Sequence, residues 1–202
     1  MRILIVGLAL LGCATGIVYL FWQQELKYQL PTPVPSGYAS IPVGKSVDLP
    51  KAFVVGTSYF LHFYNPDCPC SRFNARHLKS LIRTYSDSVS IVIVVPTNDD
   101  VIKARKEFGE ELSVWIDANQ SLAKSCGVYS TPQAAIINKD GKLFFRGNYN
   151  VSRYCTTRAT NFAELSLIAL LNHQPSPAFG LMATQSYGCE LLKNSKDEFE
   201  FF

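Results

Sequence analysis

The sequence predicts a three-layer α/β sandwich preceded by one transmembrane helix. Two observations lead to this prediction. Residues 1–28 contain a long apolar run, and from residue 46 onward strand-like runs alternate with segments of helical spacing until a hairpin and a last helix. Strands that alternate with helices form a mostly parallel sheet covered on both faces. We therefore expect a membrane anchor at 1–28, a linker at 29–45, one globular domain at 46–172 and a C-terminal extension at 173–202.

The composition is that of an ordinary folded domain. The 202 residues are 48% hydrophobic and 17% charged, which is enough apolar material for one core. The net charge of +3 comes from 19 basic and 16 acidic residues that are spread along the chain. Nucleic-acid binding is therefore not expected. Six cysteines are too few for a disulfide-stapled scaffold of this length.

The first segment is long enough to cross a bilayer as a helix. Residues 3–22 carry no charged side chain, and Tyr19 and Trp22 form an interfacial belt at the far end. The positive charge of Arg2 precedes the run, which favours an inside N-terminus and a domain on the periplasmic, extracytoplasmic side. Residues 10–13 also resemble a lipobox, in which the chain is cut before a lipidated Cys13. The apolar run continues past Cys13, which favours the uncleaved anchor.

The elements of the domain follow from local patterns. Prolines at 31, 33 and 35 prevent a helix in the linker. The unbroken β-branched run at 89–95 is typical of a central strand, and Asp140-Gly141 predicts a hairpin turn. Asn98 or Asp99 can cap a helix that Gly109 ends. We expect strands at 58–64, 89–95, 112–116, 133–137 and 142–146, and helices at 70–85, 98–108, 119–125 and 159–172.

Cys68 and Cys70 lie where the first predicted strand passes into a helix. Unpaired N–H groups and the positive end of the helix dipole stabilise a thiolate at such a position. A thiolate is both the nucleophile of disulfide exchange and a soft metal ligand. The pair therefore predicts either redox chemistry or metal binding.

Two motifs resemble those of a known family. Residues 63–70, Phe-Tyr-Asn-Pro-Asp-Cys-Pro-Cys, resemble the Phe-Trp-x-x-x-Cys-x-x-Cys signature of membrane-anchored thioredoxin-like redoxins of the TlpA/ResA type. Residues 126–133 resemble that family's Gly-Val-x-x-x-Pro stretch, and the hairpin at 140–142 fits as well. The resemblance covers about residues 45–172.

The resemblance implies a thioredoxin-like sandwich and a membrane-tethered thiol:disulfide oxidoreductase. Cys68, which we expect to be exposed where the strand ends, would be the nucleophile, and Cys70 would resolve the mixed disulfide. Pro132 would be cis and face the cysteines, and Thr131 and Pro132 would bind the substrate backbone. The partners would be protein thiols and disulfides, and no cofactor would be needed.

The sequence departs from the family at its centre, because one residue rather than two separates the cysteines. A Cys68–Cys70 disulfide would close a smaller and more strained ring. Strain raises the reduction potential, so such a bond would be labile and oxidising.

Copper binding is the alternative function. Cuprous ions select thiolates, and Sco-type copper assembly factors are membrane-tethered proteins of this fold with two cysteines at this position. Cys68, Cys70 and Cys155 would be the ligands. Those factors add a histidine near the later hairpin, and this sequence has none between His77 and His173.

The other cysteines have several interpretations. Cys155 follows the hairpin and is either an accessory group at the site or the disulfide partner of Cys189. An oxidising compartment favours the disulfide. Cys126 is expected in the core.

Two polar residues flank the motif. Asp67 either moves a proton at the site or forms a turn with Asn65, and the turn is favoured. His62 lies in an apolar strand and is expected to be a hydrogen-bonded core residue.

Overall fold

The structure of the chain is a computed structural model that describes residues 1–24, 30–151 and 155–191. The expected end of the anchor at 28 and the start of the linker at 29 lie outside these ranges. So does the last part of the expected C-terminal extension, from residue 192 onward.

The apolar N-terminal segment forms helix α1, Arg2–Gln24. An 18-residue window of this helix has a mean hydropathy of 2.4, and none of that window is buried against the domain. By length and composition it can cross a membrane.

The domain contains, in chain order, β1 Tyr59–Phe63, α2 Pro69–Tyr85, β2 Ser90–Val95, α3 Asn98–Phe108, β3 Ser113–Ile116, α4 Ser121–Cys126, β4 Ser130–Thr131, β5 Gln133–Ile137, β6 Leu143–Gly147, α5 Phe162–Leu171, α6 Leu181–Thr184 and β7 Cys189–Glu190. A five-stranded sheet forms its middle layer, with strand order β3-β2-β1-β5-β6. Strands β1, β2 and β3 are parallel, whereas β5 and β6 are antiparallel to their neighbours. Helices cover both faces, so the predicted three-layer α/β sandwich is confirmed.

Alternate residues of the strands supply the two cores. Phe60, Ile93 and Ile136 face a cluster that includes buried residues of α2, α3 and α5. Leu61 and Val94 face the opposite cluster, which includes the buried residues of α4. The sheet is therefore buried on both faces, which explains its continuous apolar strands.

Two helix starts differ from the sequence prediction. Thr97, rather than Asn98 or Asp99, caps α3, because its side chain accepts a hydrogen bond from the Asp100 N–H at 3.3 Å. Helix α5, which was predicted at 159–172, begins at Phe162, after a separate 3-10 turn at Arg158–Thr160. Gly109 ends α3 as predicted.

The part of the C-terminal extension that the structure describes packs onto the domain. It includes α6 and ends in β7, which pairs with β4 in a second, two-stranded sheet. The proline-rich stretch also contacts this extension, because the Thr32 N–H donates to the Ser186 carbonyl at 2.8 Å. Neither strand of the small sheet was predicted.

Candidate active site

Cys68 is the N-cap residue of α2 and has an extended backbone, with φ −81° and ψ 120°. Pro69 follows as the first helical residue, where its missing N–H costs no hydrogen bond. The first turn of α2 contains no acidic residue. The Cys68 sulfur therefore lies at the positive end of a 17-residue helix.

The sulfur of Cys68 forms a disulfide with Cys189, across a sequence separation of 121 residues and a Cα–Cα distance of 6.0 Å. The expected pairing of Cys155 with Cys189 is therefore wrong. Cys68 was also expected to be exposed, yet it is 1% exposed. The physical reason for both differences is that the C-terminal extension reaches the start of α2 and covers it.

The loop before β5 lies beside this disulfide. The Thr131–Pro132 peptide bond is cis, as the family resemblance implied. The Thr131 carbonyl oxygen is 3.6 Å from the Cys68 sulfur, and Thr131 lies opposite Cys189 in the β4–β7 pair. The residues expected to bind substrate are thus adjacent to Cys68, and Thr131 is covered by β7.

The other cysteines of the domain are buried to different degrees. Cys70, in the first turn of α2, is 3% exposed and lies outside the disulfide. The Cys155 thiol donates to Asn74 Oδ1 at 3.1 Å, which places it against α2. Cys126 is fully buried in the core, as predicted. Burial raises the pKa of the Cys126 and Cys155 thiols to about 12, so both are protonated near neutral pH.

The cysteines expected to bind copper do not form a ligand set in this structure. In the described ranges, no three His, Cys, Asp or Glu side chains lie close enough together to hold a metal ion. The Cys68 sulfur forms a disulfide with Cys189, and the Cys155 thiol is hydrogen-bonded to Asn74. Copper binding thus stays a prediction that no observation on the described residues favours.

Asp67 takes part in a turn. Its N–H donates to Asn65 Oδ1 at 2.9 Å, which is the side-chain turn that the sequence favoured. Its carboxylate lies 3.2 Å from the Lys103 ammonium, and both side chains are largely exposed. An exposed ion pair of this kind contributes little to stability.

His62 is a core residue, as expected. It is fully buried in β1, and its Nδ1 is 2.7 Å from the Tyr149 hydroxyl. Its Nε2 has no hydrogen-bond partner among the described residues. Burial lowers the pKa of His62 to about 3, so the folded protein holds this ring neutral.

Replacing His62 by glutamine is expected to weaken the dependence of stability on pH between 6.5 and 3. In that window the unfolded chain binds a proton at His62 and the folded chain does not, so lowering the pH destabilises the wild-type fold. The slope attributable to one proton is about 1.4 kcal/mol per pH unit.

Urea unfolding at several pH values measures this slope. The matched control is His173→Gln, because His173 is exposed, and this variant should keep the wild-type pH dependence. Burial also lowers the pKa of His77. Because His77 is present in all three proteins, its contribution to the slope cancels in the comparison. Equal slopes for the wild type and His62→Gln would contradict the conclusion that the folded protein holds His62 neutral in this pH range.

Sequence reasoning missed the residues that hold the C-terminal extension at the site. The Gln133 amide donates to Ser186 Oγ at 2.7 Å, and the Asn148 amide donates to the Gln185 carbonyl at 2.6 Å. Gly188 comes so close to the Thr131 carbonyl that no Cβ would fit. The only signal in the sequence was the Gly188-Cys189 dipeptide in an otherwise irregular segment.

A family profile matches residues 44–190, which is most of the chain and includes Cys68 and Cys189. The chain belongs to the family described as Domain of unknown function (DUF6436). A sequence comparison with curated proteins found no match.

Solved structures similar to this DUF6436 chain share its fold. An uncharacterized conserved protein from Geobacillus kaustophilus has a TM-score of 0.64 and 23% identity over 82% of this chain and 100% of that chain. A hypothetical protein from Sinorhizobium meliloti has a TM-score of 0.59 and 19% identity, covering 75% and 94%. A proposed thiol:disulfide interchange protein DsbE from Chlorobium tepidum has a TM-score of 0.51 and 21% identity, covering 65% and 99%. The domain therefore has a thioredoxin-like fold.

Proposed function

We propose that this chain is a membrane-tethered thiol:disulfide oxidoreductase whose domain faces the extracytoplasmic side. The observation that carries the proposal is the position of Cys68, a disulfide-bonded cysteine at the start of a helix and next to the Thr131–Pro132 loop. Helix starts favour the thiolate, which is the attacking species in disulfide exchange. The DsbE-like neighbour supports the same chemistry.

In the proposed reaction, Cys68 attacks one sulfur of a partner disulfide and forms a mixed disulfide. A second thiol of this chain then attacks the Cys68 sulfur and releases the partner. The family resemblance implies Cys70 as this second thiol. Helix α1 would keep this reaction at the membrane surface, and the charge of Arg2 at the start of α1 supports the extracytoplasmic orientation.

Two measurements on the full chain test the proposal. In detergent, small amounts of the chain should accelerate the reduction of insulin disulfides by dithiothreitol, at a rate proportional to chain concentration. In intact cells, a membrane-impermeant maleimide should label the domain after mild reduction. An unchanged reduction rate would reject the oxidoreductase, and labelling only after lysis would reject the orientation.

A further inference from the structure

The C-terminal extension occupies the edge of β4 in the way that a bound peptide strand would. Strand β7 runs antiparallel to β4, and these two strands form a sheet of their own. The Leu191 N–H extends the ladder by donating to the Tyr129 carbonyl at 3.0 Å. Strand edges recognise extended peptides through such backbone bonds. The edge of β4 therefore offers backbone groups with which an extended strand can pair.

The cysteine of this strand lies in the register that disulfide exchange requires. Cys189 is opposite Thr131, and the Thr131 carbonyl is 3.6 Å from the Cys68 sulfur. Any extended chain with a cysteine opposite Thr131 would present its sulfur to Cys68. The geometry is that of a mixed disulfide between nucleophile and substrate, except that both cysteines belong to one chain.

Contacts away from the disulfide hold the extension near the site when the bond opens. They run from side chains of the domain to the backbone or hydroxyl groups of the extension: Asn148 to Met182 and Gln185, Gln133 to Ser186, and Gln120 to Leu191. A tethered thiol has a high effective concentration at its target. Cys189 is therefore placed to react again with Cys68.

We propose that Cys189 is the resolving cysteine and that the extension carries it to the edge of β4, where the family resemblance implies that the substrate backbone binds. The proposal rests on the oxidoreductase function proposed above. The substrate class is a protein segment that binds β4 as an extended strand, with a cysteine opposite Thr131. In the oxidised chain the extension occupies this site in place of the substrate.

The proposed exchange balances in atoms and electrons. The Cys68 thiolate attacks one sulfur of the substrate disulfide, and the other substrate sulfur leaves as a thiolate. The Cys189 thiolate then attacks the Cys68 sulfur, and the second substrate sulfur leaves. The substrate gains two electrons and two protons, the pair Cys68–Cys189 is oxidised, and an external dithiol reduces this pair again.

Because the extension and the substrate compete for β4, resolution of the mixed disulfide is coupled to release of the reduced substrate. Because β7 and a substrate strand need the same backbone groups of β4, only one of them can pair at a time. Return of the extension thus forms the Cys68–Cys189 bond and expels the product in one event.

The test uses the reduced full chain in detergent and a peptide copy of residues 185–191, Gln-Ser-Tyr-Gly-Cys-Glu-Leu. The peptide cysteine carries 5-thio-2-nitrobenzoate as a mixed disulfide, and this acidic thiol leaves first. The absorbance of the released 5-thio-2-nitrobenzoate measures the attack by Cys68, and intact-protein mass spectrometry detects the adduct between chain and peptide.

The lifetime of the adduct identifies the resolving cysteine. The wild type and Cys70→Ser should release the peptide, whereas Cys189→Ser should retain it at least about 100-fold longer, since the tethered thiol is gone. Retention in Cys70→Ser with release in Cys189→Ser would overturn the proposal. Cys70→Ala repeats the comparison without a buried hydroxyl.

Two methylated peptides test the binding mode on the Cys189→Ser chain. N-methylation at the leucine that copies Leu191 removes the donor to Tyr129 and should slow adduct formation by about tenfold. N-methylation at the copy of Glu190 is the matched control, because alternation in an antiparallel ladder directs this N–H away from β4. Equal rates for the two peptides would overturn binding as a strand.

A small aromatic disulfide distinguishes failure of the substrate site from failure of the oxidoreductase function. If the reduced chain reacts with it at Cys68 but not with the peptide, the substrate site is wrong and the oxidoreductase function stands. If the chain reacts with neither, the oxidoreductase function itself fails.

Discussion

Cys68→Ser is expected to abolish catalysis of insulin reduction by dithiothreitol, leaving the uncatalysed rate. A serine hydroxyl does not ionise near neutral pH and cannot form the mixed disulfide. Cys126 and Cys155 cannot replace Cys68, because burial raises the pKa of each thiol to about 12. The measurement is the turbidity of precipitating insulin chains at several chain concentrations.

Cys13→Ser is the matched control for this variant. It removes one cysteine by the same substitution, but Cys13 is exposed on α1 and outside the domain. Its activity in detergent should equal that of the wild type. Turnover that survives in Cys68→Ser would show that another residue is the nucleophile.

Gly188→Ala is expected to make the Cys68–Cys189 disulfide much easier to reduce. An added Cβ would collide with the Thr131 carbonyl oxygen, and the φ of +137° is one that side chains rarely adopt. Overpacking of this kind costs about 1–3 kcal/mol. This cost at the β4–β7 contact shifts the equilibrium toward the dithiol by about 5-fold to 150-fold.

Equilibration with defined ratios of reduced and oxidised glutathione measures this shift. Gly180→Ala is the matched control, since a Cβ there meets no atom within 4 Å and the backbone φ is −74°. Its disulfide should equilibrate as in the wild type. Equal equilibria for the Gly188 and Gly180 variants would show that the close approach to Thr131 does not hold the extension in place.

Much of the fold follows from local patterns in the chain. The β-branched run at 89–95 predicted a central strand because only a strand covered on both faces is apolar throughout. Asp140-Gly141 predicted the hairpin between β5 and β6. The capping residue Thr97 was missed because its neighbours Asn98 and Asp99 are equally good caps, and only the backbone geometry selects one.

The small sheet could not be predicted in the same way. Strands β4 and β7 have two residues each, which is too short for a pattern of alternation to be visible. Their pairing is stabilised by contacts that come from distant positions, such as Gln133 with Ser186. Glycine at 188 was visible, but its reason, the close approach to Thr131, exists only in the folded chain.

The sequence by itself determined the apolar N-terminal helix, the order of strands and helices, and the placement of Cys68 at a helix start, because each depends on neighbouring residues. The tertiary structure alone decided which cysteine bonds to Cys68. A disulfide needs two Cα atoms within about 7 Å, and a separation of 121 residues carries no such information. Sequence spacing favoured the nearby Cys70 as the partner of Cys68. In the folded chain the extension runs along β4 and brings Cys189 to the Cys68 sulfur.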